Sequence, residues 1–370
     1  MLPLVLLALV VGSQVYCVLT LVAAARYRRV RPAKLAAAPP ISILKPLHGV
    51  DEGLEENLRT FFEQGYPAFE ILFALRDMDD PAIALVERLR ADYPQVASRL
   101  IVTGQPPYAN AKVFSLDRML AEARYDLLVM SDSDIRVTPE MLAVIAAEFQ
   151  DARLGLATCP YRAVAGHSFW SRLEAVGLNT EFIGGILVAR MLEGMKFAVG
   201  PTIAARRETL AAIGGFDAVK DYLAEDFVMG KLAAERGWGV ILSSYVIEHR
   251  IGSQRFWANL KHRIRWNRST RRSRPAGYVG QLFTNPLPLA LILVAVEPAW
   301  WPVAVETLLL RGAAAVSTAR LLGARLPWLL LPLQDVASFL VWIAGFFGNK
   351  IQWRGRRYYL RPDGRFDLAG

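Results

Sequence analysis

Two aspartates separated by one serine, Asp132 and Asp134, have the spacing in this chain that most directly suggests chemistry. They follow the apolar run 125–130, which is typical of a buried parallel strand. Side chains at i and i+2 of an extended segment point the same way, so both carboxylates can face one site. Such a pair suits a divalent ion that also holds phosphate oxygens. The alternative is a loop that caps the next helix, but Thr138 already fills the cap position before Pro139.

Other charged residues are grouped where strands are expected to end or helices to begin. Glu225 and Asp226 open a helix expected to run to about residue 236. A carboxylate within reach of an alcohol can act as a general base, although an acid in a first helical turn also favours the helix dipole. Glu225 would serve that structural need equally well, so one of the two carboxylates is available for chemistry. The remaining groups are the acidic Asp77, Asp79 and Asp80, and the basic and aromatic His262, Arg265 and Trp266.

Several of these residues also have a purely structural interpretation. Asp80 precedes Pro81 and could cap the helix that follows. Lys112 can neutralise a diphosphate, but exposed lysines commonly serve only solubility. Trp266 beside basic residues can be an anchor at a membrane interface.

Strands and helices alternate from residue 41 onward, which predicts a parallel α/β sheet with ligands at the carboxyl ends of its strands. The first strand ends at Lys45. We expect strands at 41–44, 70–75, 99–102 and 125–130, and helices at 52–64, 80–93 and 111–123.

The composition points to a membrane protein with an anionic partner. The 370 residues are 54% hydrophobic and carry a formal net charge of +9. Residues 1–26 are apolar over about the ~20 residues that a bilayer crossing needs, and basic residues follow rather than precede them. This favours a membrane anchor over a cleaved secretory signal, with the rest of the chain starting in the cytosol. Cys17 and Cys159 give no disulfide framework, and four scattered histidines do not indicate zinc.

Apolar and basic stretches alternate in the second half of the chain. Residues 169–199 could lie on the membrane surface or form a buried core helix. Residues 249–280 contain no acid and predict an amphipathic helix facing anionic lipid or phosphate; nucleic acid is the competing partner for such a basic run. We set nucleic acid aside because membrane-like sequence lies on both sides. Residues 281–348 contain three apolar stretches, and three complete spans would place the basic tail, 349–370, outside; the sequence leaves this conflict open.

The three acidic groups together with the basic and aromatic set His262, Arg265 and Trp266 resemble the signature of the inverting, nucleotide-sugar-dependent family 2-type glycosyltransferases with the GT-A fold. The chain looks more closely similar to the ceramide glucosyltransferases and their bacterial relatives, including hopanoid-associated glycosyltransferases. One departure is His262, where that family usually has Gln or Arg at the start of its (Q/R)xxRW box. The resemblance covers most of residues 40–275, and the matching stretches are 42–51, 76–82, 110–112, 132–137, 224–226 and 265–266.

This resemblance implies an α/β, Rossmann-like GT-A domain over residues 38–248, between the N-terminal anchor and a C-terminal transmembrane or interfacial helical region. Asp226 would be the general base of a single inverting displacement. Mg²⁺ or Mn²⁺ on Asp132 and Asp134 would bridge the two phosphates of the donor. The substrate-binding residues implied are Lys45, Asp77, Asp80, Lys112, Glu225, His262, Arg265 and Trp266.

The function expected is transfer of a hexose, glucose from UDP-glucose in the first place, to the hydroxyl of a ceramide-like lipid. The alternatives are an N-acetylglucosaminyltransferase for a hopanoid lipid, a polyprenyl-phosphate glycosyltransferase, and a non-enzymatic membrane scaffold with a degenerate GT-A shell. The expected partners are a UDP-sugar, a lipid acceptor and the bilayer, without nucleic acid. The expected location is a bacterial inner membrane or its equivalent, with the catalytic domain facing the cytoplasm. The oligomeric state stays open.

Overall fold

The computed structural model describes residues 1–32, 34–353 and 356–369. Its centre is a seven-stranded sheet in the order β3-β2-β1-β4-β8-β6-β9, in which only β8 runs antiparallel to its neighbours. A three-stranded sheet, β5-β10-β7, lies beyond the end of β4, and a second one, β11-β12-β13, closes the chain. The strands are β1 Ile41–Pro46, β2 Phe69–Leu75, β3 Ala97–Val102, β4 Leu127–Ser131, β5 Ile135–Arg136, β6 Leu154–Thr158, β7 Tyr161–Val164, β8 Thr202–Arg206, β9 Gly239–Leu242, β10 Ile247–Arg250, β11 Lys350–Trp353, β12 Arg356–Leu360 and β13 Phe366–Leu368.

Helices cover both faces of the central sheet and form the apolar part of the molecule. A π-helical turn, Leu178–Phe182, joins α6 to α7. Short 3₁₀ turns occur at Phe216–Ala218, Gln281–Phe283 and Pro298–Trp300. The α-helices are α1 Leu2–Tyr27, α2 Leu54–Phe62, α3 Ala82–Asp92, α4 Ala111–Glu122, α5 Met141–Glu148, α6 Phe169–Gly177, α7 Ile183–Glu193, α8 Arg207–Ala212, α9 Glu225–Glu235, α10 Phe256–Ser273, α11 Pro275–Gly280, α12 Pro286–Val296, α13 Trp301–Leu321 and α14 Leu330–Gly345.

The predicted α/β alternation is confirmed, because β1 to β4 and α2 to α4 follow one another in the order expected. Every residue of β1 and β4 is buried, as expected for inner strands covered on both faces. Asn110 caps α4, with its side chain accepting a hydrogen bond from the backbone of Val113 at 3.2 Å.

One expected cap is wrong. Helix α5 begins at Met141, and Thr138 does not cap it. The hydroxyl of Thr138 instead lies 3.0 Å from that of Tyr245, and its backbone nitrogen donates to the same oxygen at 2.7 Å. The purpose of Asp132 and Asp134 must therefore be judged from their own contacts.

The helices that could span a membrane pack together beside the sheet. By length and composition, Leu2–Tyr27 and Phe169–Glu193 are long and apolar enough to cross, and the bent pair Pro275–Phe283 and Pro286–Val296, with a 54° bend, could count as a third span. Helix α1 packs against α7, α12 and α13. Phe169–Glu193 is mostly buried inside the protein, which agrees with the expected core helix, and its contact with a membrane stays a prediction.

A buried ion pair joins the helices of this apolar part. Arg311 of α13 donates to the carboxylate of Asp335 of α14 at 2.8 to 3.1 Å. The same guanidinium donates to the hydroxyl of Thr180 at 3.1 Å, in the π-helical turn. Because both charged side chains are almost fully buried, each charge is compensated by the other instead of by water.

Hydrogen bonds connect the C-terminal part of the chain to the rest of the protein. The connections before and after α14 are held by arginines: Arg162 of β7 donates to the carbonyl of Gly323, just after α13, at 3.0 Å, and Arg268 of α10 donates to that of Phe347, after α14, at 2.9 Å. The backbone of Phe366 in β13 then donates to the carbonyl of Asp221 at 2.9 Å. The end of the tail therefore lies against the α/β part of the protein.

Candidate active site

A cleft at the carboxyl end of β4 collects acidic and basic side chains from three separate segments. Its charged residues are Lys112 from the first turn of α4, Asp132 after β4, and Glu225 and Asp226 from the first turn of α9. The complete lining is Pro46, Lys112, Leu116, Met130, Ser131, Asp132, Gly200, Ile203, Glu225, Asp226 and Met229. The position agrees with the rule that open α/β sheets bind ligands beyond the carboxyl ends of their strands.

Lys112 is the positive centre of this cleft. Its Nζ lies 2.7 Å from Oδ1 of Asp132 and 3.2 Å from Oε1 of Glu225. Burial disfavours the charged ammonium, but the two carboxylates outweigh that cost and hold the pKa of Lys112 above its ordinary value. Asn110 fixes the surroundings by donating to the carbonyl of Tyr222 at 2.9 Å and to Glu225 at 3.4 Å. The cleft therefore keeps a permanent cation where a diphosphate could be held.

Asp226 has the electrostatic setting of a general base. Burial, reinforced by the neighbouring carboxylate of Glu225, raises the pKa of Asp226 to about 7, although Lys112 opposes the shift. Gly200 makes room for this carboxylate, because a Cβ at that position would lie 2.9 Å from Oδ2 of Asp226. A carboxylate with a pKa near neutrality is a stronger base than an ordinary aspartate, and about half of it is ionised at neutral pH.

Asp134 is engaged differently from Asp132. Its Oδ2 lies 3.1 Å from Nε2 of His249 on β10, and this interaction outweighs burial and lowers the pKa of Asp134. Burial raises the pKa of Asp132, although Lys112 opposes the shift. Oδ1 of Asp134 is buried without a hydrogen-bond partner. An unpaired buried carboxylate oxygen is costly and indicates that a cation or donor is expected there.

Asp132 and Asp134 fit a hard divalent ion that keeps waters and substrate oxygens as ligands, rather than a metal site built from protein side chains alone. No set of three or more His, Cys, Asp or Glu side chains surrounds a possible metal position in residues 1–32, 34–353 and 356–369. Mg²⁺ commonly takes only one or two carboxylates, with waters and substrate phosphates completing its shell. The residues present therefore fit such an ion, and Oδ1 of Asp134, which is buried without a hydrogen-bond partner, could serve as one of its ligands.

Lys45 holds the end of β4, next to the cleft, by buried hydrogen bonds. Its fully buried ammonium donates to the carbonyl of Asp132 at 2.5 Å and to the hydroxyl of Ser131 at 3.4 Å. It also lies 3.8 Å from the ring centre of Phe61. Burial lowers the pKa of Lys45 to about 7, against the attraction of Asp132 and Asp134. Lys45 thus anchors the end of β4, and direct contact with substrate stays a prediction.

The acidic group after β2 has a clear structural task. Both oxygens of Asp80 accept the backbone N–H of Gly49, at 2.9 and 3.1 Å, and Oδ1 accepts that of Ala82 at 2.9 Å. Asp80 therefore ties the loop after β1 to the start of α3. Asp77 is more exposed and accepts from Arg76 and Gln105 at 2.9 and 3.1 Å. Nucleotide binding by either aspartate stays a prediction.

Helix α10 carries the basic and aromatic box, and its first member has a buried partner. Nδ1 of His262 lies 3.0 Å from Oε1 of Glu174, whose other oxygen accepts from Asn259 at 2.5 Å. The ring of His262 also packs against Trp266, with 5.1 Å between centroids. Arg265 is partly buried on the same helix. The histidine that departs from the family pattern is thus held in place by an acid from α6.

A row of rings connects this helix to the acidic pair. Trp266 packs on Phe182 at 5.8 Å, Phe182 on Tyr161 at 5.6 Å, and Tyr161 meets the edge of His249 at 5.2 Å. His249 in turn contacts Asp134. The box on α10 and Asp134 are therefore joined by packing, although they lie far apart in sequence, and Asp134 itself does not line the cleft.

Three residues of this region carried no recognisable signal in the sequence: Glu174, Tyr161 and His249. The hydroxyl of Tyr161 is fully buried and has no partner. Burial and the carboxylates of Glu174, Asp226 and, less strongly, Asp134 raise the pKa of Tyr161 far above its ordinary value, so the phenol stays protonated. Each of the three lies alone on a short strand or helix, and only the packing of β7, β10 and α6 brings it to the site.

The architecture is that of GT-A glycosyltransferases, as expected. The mannosyltransferase PcManGT from Pyrobaculum calidifontis, solved in complex with GDP-Man and Mn²⁺, aligns over 94% of this chain and 99% of its own with a TM-score of 0.57 and 19% sequence identity. At that identity the likeness concerns the fold.

Comparison of the sequence identifies the family of the chain. The family model of glycosyl transferase family 21 matches residues 4–366, so the chain belongs to that family. Ceramide glucosyltransferase 1 of Caenorhabditis elegans is 28% identical over 209 residues, which are 56% of this chain and 44% of that protein. Ceramide glucosyltransferase 3 of the same organism is 28% identical over 211 residues, or 57% and 46%. The chain therefore matches less than half the length of these relatives.

Proposed function

We propose that this protein is an inverting glycosyltransferase that moves a hexose from a nucleotide diphosphate sugar to the hydroxyl of a ceramide-type membrane lipid. UDP-glucose is the donor we propose, in keeping with the ceramide glucosyltransferases it resembles. The observation that carries the proposal is the cleft after β4, where Lys112 holds positive charge beside Asp226, a carboxylate whose pKa lies at about 7.

Asp226 removes the acceptor proton in the proposed step. The lipid hydroxyl attacks the anomeric carbon while its proton passes to a carboxylate oxygen of Asp226. The bond from the anomeric carbon to the diphosphate oxygen breaks, and the nucleoside diphosphate leaves with that electron pair. One carboxylate is sufficient for this single displacement, and the configuration of the sugar inverts.

Lys112 stabilises the charge that develops on the departing diphosphate. To bind phosphate it exchanges part of its contact with Asp132 and Glu225. We propose that Asp132 and Asp134 hold a divalent ion, which would neutralise the two phosphates when bound. The neighbour PcManGT, solved with GDP-Man and Mn²⁺, gives a precedent for this chemistry on the same fold.

The lipid acceptor reaches the cleft from the apolar helices. The row of aromatic rings formed by Trp266, Phe182 and Tyr161 leads from α10 toward Asp134 and borders the apolar segment Phe169–Glu193. The unpartnered hydroxyl of Tyr161 is available to donate to a sugar or acceptor oxygen. Residues 1–26 anchor the protein, and the basic residues after them orient the catalytic domain toward the cytoplasm of a bacterial inner membrane or its equivalent.

The direct test uses the full chain in detergent, with UDP release and mass spectrometry of the lipid product as readouts. UDP-glucose is compared with UDP-N-acetylglucosamine, and ceramide with a hopanoid polyol and a polyprenyl phosphate. We expect a monohexosyl ceramide with inverted anomeric configuration. Glycosylation of only the polyol or the polyprenyl phosphate would replace the acceptor, and no transfer with any pair would favour the scaffold alternative.

A further inference from the structure

A second cavity, remote from the cleft after β4, lies on the outer side of the apolar helices. Its volume is about 620 Å³, within the range of ligand sites, and it shares no lining residue with the cleft. It is enclosed by α13, by the segment that begins α14, and by the residue after α1. The lining residues are Arg28, Leu308, Leu309, Gly312, Ala313, Val316, Ser317, Arg320, Trp328, Leu331 and Pro332.

Small side chains on one face of α13 form the floor of this groove. Gly312, Ala313 and Ser317 remove bulk between Leu308 at one end and Arg320 at the other. The helix rises about 18 Å from Leu308 to Arg320, which are twelve positions apart, at ~1.5 Å per residue. That length is close to the depth of one leaflet of a bilayer, whose apolar core is ~30 Å thick.

Charge is confined to one end of the groove. Arg28 and Arg320 are both exposed and line it together, at the end nearest the α/β part. Neither makes an ion pair with another side chain in the described ranges, in contrast to Arg311 on the inner face of the same helix, which binds Asp335. The other walls are exposed and apolar, with Leu309 and Trp328 at 68% and 56% of full exposure.

We propose that this groove is a binding site for an anionic phospholipid, with the phosphate between Arg28 and Arg320 and the acyl chains along α13. Two unpaired cations at the interface and a one-leaflet apolar trough below them match the chemistry of such a lipid. A neutral, ceramide-like acceptor has no group that would use both arginines. The site is thus distinct in charge and position from the proposed acceptor path at Tyr161.

The lipid would also strengthen the junction between the membrane part and the catalytic part. It would contact the residue that follows α1, the end of α13 and the start of α14 at once. Between α13 and α14, Gly323 accepts a hydrogen bond from Arg162 of β7. A ligand that binds only the folded arrangement raises its stability, so thermal unfolding reports on the site without any transfer assay.

The experiment compares phosphatidylglycerol with phosphatidylcholine on the full-length protein, by native mass spectrometry and by thermal unfolding in detergent. At about 1 kcal/mol per arginine, two cations predict a preference for the anionic lipid on the order of thirtyfold. The double substitution Arg28→Gln with Arg320→Gln is expected to abolish that preference. The matched control is Arg29→Gln with Arg325→Gln, which removes the same charge from nearby exposed residues that do not line the groove.

A variant that fills the groove distinguishes the contribution of its shape to lipid binding from that of its surface charge. Gly312→Leu keeps both arginines and fills the floor, where a Cβ would meet only the edge of Trp328 at 3.8 Å. Loss of lipid binding in this variant and in the Arg28/Arg320 pair, with binding retained in the control pair, supports the site. Equal binding of both lipids, equal loss in the control pair, or competition by glycerol phosphate alone as strong as by the whole lipid would overturn it.

Discussion

Replacing Asp226 with asparagine tests the centre of the proposed mechanism. The amide has almost the same size and retains an oxygen, but it cannot take a proton from the acceptor hydroxyl. Loss of a general base commonly lowers the rate by about 10²–10⁴. That factor corresponds to about 2.7–5.4 kcal/mol of transition-state stabilisation, at ~1.36 kcal/mol per tenfold change. We expect kcat to fall by this amount with little change in KM for the donor.

The pH profile of the unmodified protein provides a second measurement of the same residue. Because Asp226 works as its carboxylate and its pKa lies at about 7, kcat/KM should rise with pH and level off above neutrality. Below that point it should fall about tenfold per pH unit. Glu225 is the strongest charged contributor to the raised pKa, so Glu225→Gln should move the acid limb to lower pH.

The assay is initial-rate UDP release between pH 5 and 9 at varied donor and lipid concentrations, so that kcat and kcat/KM are both obtained at each pH. Asp217→Asn is the matched control, because Asp217 is an exposed aspartate in the preceding 3₁₀ turn that pairs only with Lys220 among the contacts described. Its rate and profile should match those of the unmodified protein. The assignment of Asp226 is refuted if Asp226→Asn keeps more than about a tenth of the rate, or if the acid limb survives unchanged in that variant.

Three further results are expected. Lys112→Met should raise KM for the nucleotide sugar about tenfold or more, measured by initial rates, since the cation between Asp132 and Glu225 is lost; an unchanged KM would remove Lys112 from the donor site. Tyr161→Phe deletes a buried hydroxyl without a partner, so thermal unfolding should show unchanged or higher stability while transfer falls; equal loss of both would indicate a structural role only. Arg311→Met should destabilise the detergent-solubilised protein by about 3–5 kcal/mol, because Asp335 is left as an unpaired buried charge, and combining it with Asp335→Leu should recover part of the loss.

Local patterns in the sequence were sufficient for the α/β part of the fold. Alternating apolar runs and amphipathic segments placed β1 to β4 and α2 to α4 within a few residues of their bounds, because burial on both faces demands continuous apolar strands. The pattern did not reveal that β8 enters the sheet antiparallel between β4 and β6. Strand order depends on contacts between segments that are far apart in the chain.

The acidic stretch after β4 shows where the sequence sufficed for the site and where it did not. Residue type and i, i+2 spacing singled out Asp132 and Asp134, residue type with helix position singled out the pair Glu225 and Asp226, and the family resemblance chose Asp226. The sequence did not reveal that Lys112 lies between Asp132 and Glu225, or that His249 holds one oxygen of Asp134 and leaves the other without a partner.

Tertiary structure alone decided which charges are paired and which are exposed to a ligand. The pKa of a carboxylate depends on burial and on neighbours within a few ångströms, and folding sets both, irrespective of sequence distance. For the same reason the position of the tail against the α/β part followed from the contact of Phe366 with Asp221 and not from counting apolar segments. The amino-acid sequence determined the chemical groups of this protein, and the packing of its strands and helices determined their electrostatic states.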